Sequence, residues 1–222
     1  GAYVIWEDDR TTVDFDIYAQ RMIPGAVLPM PVASIADAKM KTDGTSIRLP
    51  ARVVTAAFEG YFYIEESDRS SGIKVIPAPG QPIATVGQKA IVEGRIGTLN
   101  GEAVIFASSV VTSSAGDDAI KPLAMSTKCV GGERIGLQPH TLRGGSSNYQ
   151  WPDNLNTTGL LIRVAGTLVY DWVNFQSYID DGTDYPIRIE YPTGVPAQEG
   201  QMVAVTGVSG VAWDGANGFR VL

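Results

Sequence analysis

Apolar and polar residues alternate with a period of two over most of the chain, which predicts short strands and very little helix. Residues 1–22 read as a hairpin: Tyr3-Val4-Ile5-Trp6, a polar turn from Glu7 to Thr12, then Val13 to Arg21 with Phe15, Ile17 and Ala19 on one face. Pro24, Pro29 and Pro31 make residues 23–33 an extended linker, after which Ser34 caps a single helical turn from Ile35 to Met40. Five strand candidates follow, at 46–58, 60–66, 72–76, 87–97 and 102–112. Asn100-Gly101 joins the last two, and Asn-Gly is the strongest short hairpin signal. Residues 113–157 lack clear periodicity, although Leu123, Met125, Val130, Ile135, Leu137, Tyr149 and Trp151 favour packing across neighbouring elements. Five strands then return, at 159–172, 175–181, 186–191, 200–210 and 216–222.

The two sets of strands are copies. Gly60-Tyr61-Phe62-Tyr63-Ile64-Glu65-Glu66 is echoed by Phe175-Gln176-Ser177-Tyr178-Ile179-Asp180-Asp181, and each copy later reaches a Gly-Gln opener, at Gly87-Gln88 and Gly200-Gln201. Matched residues lie about 115 apart at the first block and about 113 apart at the second, which marks a duplicated domain and is too long for a solenoid repeat.

Five short strands with a long first strand look like an OB-fold, a small Greek-key barrel. Val53 to Phe58, Gly60 to Glu66 and Arg69 to Val75 resemble the OB-like domains of large bacterial extracellular proteins, and Lys121 to Ser126 with Gly131-Gly132 resemble the segment between such paired domains. Trp6-Glu7-Asp8-Asp9-Arg10 followed by Asp14 to Arg21 resembles a fragment of a β-propeller blade from the same class of protein. A propeller needs several four-stranded blades, so this second resemblance implies ancestry at most. The expected fold is all-β: two tandem OB-fold-like five-stranded barrels plus an N-terminal β-hairpin. The expected organisation is a hairpin at 1–22, a proline-rich linker and helical turn at 23–44, barrels at 45–112 and 158–222, and an irregular connector at 113–157.

At 222 residues the chain can bury roughly 70% of its unfolded surface and needs no staple. Its net charge of −7 is concentrated at the two ends: residues 1–44 carry seven acids against four basic residues, residues 158–222 seven against three, and residues 45–112 six of each. That balance argues against a phosphate backbone as partner. Cys129 and His140 are each the only residue of their type, which excludes an internal disulfide and makes a structural zinc site a poor reading. No stretch approaches a membrane span. Gly1 in place of methionine is read as a processed, secreted chain.

Candidate chemistry is sparse. Glu65-Glu66 and Asp180-Asp181 read first as surface acids that start loops, because neighbours in a strand point to opposite faces. Glu7, Asp8 and Asp9 are the better candidate for a cation, although no bidentate Glu stands at a defined position and a solvated turn is the plainer reading. Tyr61, Phe62 and Tyr63 with Arg52, Arg69 and Lys74 are what a single-strand nucleic-acid binder would use, but the second copy replaces two of the rings and is acidic. Trp151, Tyr185, Tyr191 and Trp213, with Trp172, could stack on a sugar; packing would use the same rings. His140 has no nucleophile partner and no phosphate loop is present, so no enzyme and no cofactor are expected.

The orphan hairpin directs the functional expectation, since a two-stranded unit does not hold alone in water. Tyr3, Val4, Ile5, Trp6, Phe15, Ile17 and Tyr18 are its candidate assembly residues. Pairing with a neighbouring copy would make an extracellular, self-assembling structural protein. A carbohydrate-binding adhesion module is the alternative, and a single-stranded nucleic-acid binder the weaker one.

Overall fold

An antiparallel pair, β1 (Ala2–Asp8) and β2 (Asp16–Met22), opens the fold, with register from Ala2 opposite Met22 to Asp8 opposite Asp16. The structure, a computed structural model, describes residues 2–8, 16–22, 28–113, 119–142, 154–190, 197–213 and 218–222. Among these residues β1 and β2 form a sheet of their own, separate from the two larger ones.

The first barrel comprises β3 (Met30–Pro31), α1 (Ile35–Lys39), β4 (Ser46–Phe58), β5 (Tyr61–Glu65), β6 (Gly72–Pro77), β7 (Lys89–Leu99) and β8 (Glu102–Thr112). Strands pair in the order β4-β5-β6-β8-β7, and β7 pairs back to β4, so the barrel closes. Only the β6–β8 pairing among these is parallel. This is the Greek-key order of an OB barrel. Alternation places Ile47, Leu49, Val54, Phe62, Ile64, Val92 and Ile105 inside, each with no exposed surface, and burial of one such side chain is worth roughly 1.5–3 kcal/mol. The Asn-Gly turn forms as expected: Asn100 at φ 49° and Gly101 at φ 74° match the two left-handed positions of a type I′ turn.

The proline-bearing segment is more than a linker over its described part. β3 pairs in parallel with β4, and α1 buries Ile35 and Ala38 in the barrel core. Ser34 caps this turn, its hydroxyl accepting from the amide of Asp37 at 3.0 Å.

The second barrel repeats the plan with β9 (Leu123–Ala124), a 3-10 turn (Thr127–Cys129), β10 (Leu161–Asp171), β11 (Gln176–Asp180), β12 (Ile187–Ile189), β13 (Met202–Val208), β14 (Gly210–Trp213) and β15 (Gly218–Val221). Their order is β13-β10-β11-β12-β15-β14, with β12–β15 parallel. The strand expected over 200–210 is thus two strands, interrupted at Ser209, which is buried and exchanges backbone hydrogen bonds with Gly159 and Leu160. β9 runs parallel to β10 as β3 does to β4. The duplication therefore reaches upstream of the barrels: Pro29-Met30-Pro31-Val32 occupies the place of Pro122-Leu123-Ala124-Met125, and the amides of Val32 and Met125 donate to Arg48 and Arg163.

The Gly-Gln openers form one turn built twice. Gly87 and Gly200 sit at φ 86° and 83°, conformations that favour glycine. The Gln88 side chain accepts from the amide of Thr85 at 2.9 Å, and that of Gln201 from Gln198 at 3.0 Å. Each turn then hooks the barrel's first strand, where Val54 and Leu168 exchange backbone hydrogen bonds with the Gly-Gln pair.

Candidate functional site

Three of the four paired acids, Glu65, Glu66 and Asp181, do not behave as surface acids, whereas Asp180 starts its loop as expected, accepting from the amide of Gly182 at 2.9 Å. Glu65 is completely buried, and one carboxylate oxygen pairs with Arg69 at 3.0 Å while the other accepts from the amide of Leu161, the first residue of β10. Arg69 in turn donates to the carbonyls of Leu161, at 2.6 Å, and Lys121. The pair thus grips the second barrel's first strand by its backbone. Burial pushes the Glu65 carboxyl above its ordinary range, against the lowering pull of the Leu161 amide and Arg69. Beside it, Gly72 and Gly159 cross so closely that a Cβ on either would strike the other's backbone.

The second acid of each pair has a shared task. Glu66 accepts from the amide of Ile35, at the start of α1, and pairs with Arg52 at 2.5 Å. Asp181 accepts from the amide and hydroxyl of Thr127, at the start of the 3-10 turn, at 2.8 and 2.6 Å. Desolvation works against the Asp181 charge, but the hydrogen bonds from Thr127 and Thr183 outweigh it and hold the pKa below the usual value. Each acid therefore docks the segment that leads into its own barrel.

Two residues that the sequence pattern does not single out complete the junction. Lys39 is 2% exposed; its ammonium donates to the carbonyl of Thr158 at 3.1 Å, and burial lowers its pKa to about 8. Gln138 is fully buried and reaches across the β7–β8 turn, accepting from Ala103 at 2.9 Å and donating to Gly101 at 3.1 Å. Of the apolar residues in the connector, Leu137 packs on the core of the first barrel and Met125 and Val130 on that of the second, Leu123 is exposed, and Tyr149 and Trp151 lie outside the described residues. A Lys at a regular helical position or a lone Gln carries no sequence signal of burial.

The aromatics divide. Phe62 is core, Tyr63 is 5% exposed, and Phe58, Tyr61 and Tyr63 form one cluster with centroids 5.0 to 6.2 Å apart. Lys74 lies over Tyr61 and Tyr63 and is paired with buried Glu102. All three cations of the candidate nucleic-acid face, Arg52, Arg69 and Lys74, are ion-paired with carboxylates. Phosphate would have to displace those partners. Among the candidate sugar-stacking rings, Trp213 rests against Gly101 of the first barrel and is 43% exposed, whereas Tyr185 takes Lys128 over its ring at 5.7 Å. Trp151 and Tyr191 lie outside the described residues. Trp172 is 69% exposed at the β10–β11 turn, beside Val173 and Phe175, in edge contact with Tyr170 and donating to Glu199 at 3.3 Å.

Of the assembly candidates, Tyr3, Val4, Ile5 and Trp6 fall on β1, and Ile17 and Tyr18 on β2; Phe15 lies outside the described residues. Glu7 and Asp8 end β1, with Asp8 in register with Asp16; Asp9 lies outside. Among the described residues no three His, Cys, Asp or Glu gather as a metal site would require, and no helix is long and apolar enough to cross a membrane.

No protein-family model matches the chain, and no curated protein matches it.

Proposed function

We propose that this chain is a non-catalytic, secreted structural protein that assembles by pairing its N-terminal hairpin with a neighbouring copy. One observation carries the reading: β1 and β2 hydrogen-bond as strands to each other and, among the described residues, to no strand of either barrel. A two-stranded ribbon needs a third strand or a covering surface to hold its shape. Strand addition to a neighbour supplies one, and because donor and acceptor patches differ the contact is head-to-tail and builds a filament unless the rotation closes a ring. The tie between the two barrels through Glu65, Arg69 and Lys39 suits a rigid building block. An extracellular setting follows from the resemblance to OB-like domains of large bacterial extracellular proteins.

Light scattering and negative-stain microscopy of the chain with and without residues 1–22 test this reading. Large oligomers or filaments that vanish on truncation are expected. A monomer at all concentrations in the intact chain would sink the proposal.

A second reading, adhesion through carbohydrate, is favoured by the exposed indole of Trp172. A glycan-binding screen that loses its signal on Trp172→Ala would support it.

A further inference from the structure

The two barrels differ at one turn. In the first, Phe58 faces Tyr61 across β4 and β5, and Glu59 and Gly60 alone connect them. In the second, Asp171 faces Gln176, and Trp172-Val173-Asn174-Phe175 intervene. Turn residues are ordinarily polar, yet Trp172, Val173 and Phe175 are each exposed over most of their surface. The turn is built to hold them out. The Asp171 carboxylate accepts from the Asn174 side chain at 2.8 Å and from the amides of Asn174 and Val173 at 3.1 and 2.9 Å. Those bonds hold its pKa below the usual carboxylate range, so the group stays charged at neutral pH. The Trp172 indole donates to exposed Glu199. The tip is thus an apolar knob with two carboxylates at its base.

The first barrel carries the complementary shape. On its outer face the end of β6 with the turn after it, and the middles of β7 and β8, border an open cleft of about 620 Å³. A bulge sets its floor. Gly94 faces Ala107 while Glu93 faces Ser109, and a Cβ at Gly94 would lie 2.3 Å from the carbonyl of Phe106. The exposed ring of Phe106 and the run Pro77-Ala78-Pro79 make the lining apolar. Arg95 lines the same cleft. It is exposed and makes no ion pair among the described residues, whereas Arg48 and Glu93 beside it pair with each other at 3.3 Å.

We propose that the 172–175 tip of one copy of this chain docks in the cleft between β6, β7 and β8 of a second copy, with Arg95 facing Asp171 and Glu199. The contact goes beyond the hairpin reading and uses none of the hairpin's residues. Charge commits the occupant: the knob is acidic at its base, and the cleft holds a guanidinium without a carboxylate. A bilayer would have to take both carboxylates toward its headgroups along with the rings. A sugar site is concave and offers hydrogen bonds, whereas this tip is convex and Val173 and Phe175 offer none. Because knob and cleft are different surfaces, the contact runs head-to-tail. Burial of the Phe175 ring in a neighbour would also offset the left-handed backbone that displays it, at φ 54°.

The test uses the full chain with Cys129→Ser as background. One preparation carries Val173→Cys and another Ala78→Cys. Mixed under mild oxidation they should give a covalent dimer, and neither should do so alone, the mark of a head-to-tail contact. Arg95→Glu in the Ala78→Cys chain should cut the crosslink yield at least tenfold, and Glu199→Arg in the Val173→Cys chain should restore it, a rescue that loss of folding would not give. No crosslink in the mixture, or a yield that Arg95→Glu leaves unchanged, would overturn the proposal. So would a Trp172→Ser chain that loses binding to zwitterionic vesicles or to a glycan array while its crosslink yield stays the same. Oligomers that need residues 1–22 but give no crosslink between positions 173 and 78 would remove this contact and leave the hairpin reading standing.

Discussion

Glu65 ends β5 of the first barrel and Leu161 begins β10 of the second, and the buried carboxylate of one accepts a hydrogen bond from the amide of the other. With Arg69 holding the Leu161 carbonyl at 2.6 Å, both backbone groups of that residue are claimed by the first barrel. Removing the carboxylate leaves a guanidinium and an amide without their partner. Glu65→Ala is expected to cost about 3–5 kcal/mol in urea unfolding. Glu65→Gln keeps an acceptor and should cost less. Because burial raises the folded-state pKa of Glu65, its titration favours the folded state fully below the ordinary carboxylate range and loses that contribution as pH rises through the raised value. The stability difference between wild type and Glu65→Gln should therefore shrink from acid to neutral pH. A difference that grows over that interval would contradict the assignment.

Lys39 has the opposite dependence. Its pKa falls to about 8 on folding, so the unfolded chain binds the extra proton between that value and the ordinary 10.5. Stability of the wild type relative to Lys39→Met should rise with pH across this window, by about 3 kcal/mol. At pH 7 Lys39→Met should be neutral or stabilising. Equilibrium unfolding at pH 7, 8, 9 and 10 checks both statements.

Phe175 stands at φ 54° where its counterpart in the first barrel, Gly60, stands at φ 85°. A bulky residue there holds a left-handed backbone at a penalty of roughly 1–2 kcal/mol, and the ring is 77% exposed, so little packing offsets it. Phe175→Gly should raise the melting temperature. A lower one would mean that the exposed ring has a partner in solution, which the same variant would report as lost binding or assembly.

Gly101 carries two constraints at once, φ 74° and the face of Trp213, whose Cε3 would lie 2.6 Å from an added Cβ. Gly101→Ala should cost at least about 2 kcal/mol and shift the tryptophan emission. Gly80, at φ 87° with open space around it, supplies the control: Gly80→Ala should carry the backbone penalty alone and leave the emission unchanged.

The sequence by itself determined the all-β class, the duplication, the Ser34-capped turn, the Asn100-Gly101 hairpin and the Gly-Gln openers. Each of these is written in a few adjacent residues, through a period of two, a capping hydroxyl or a glycine at positive φ. Only the tertiary structure decided the rest: that Glu65 is buried against Leu161 rather than solvated, that Lys39 reaches Thr158, and that Trp213 lies on Gly101. Those relationships join residues roughly a hundred positions apart, and the alternation of polar and apolar residues says which face of a strand is inside without saying which strand lies beside it.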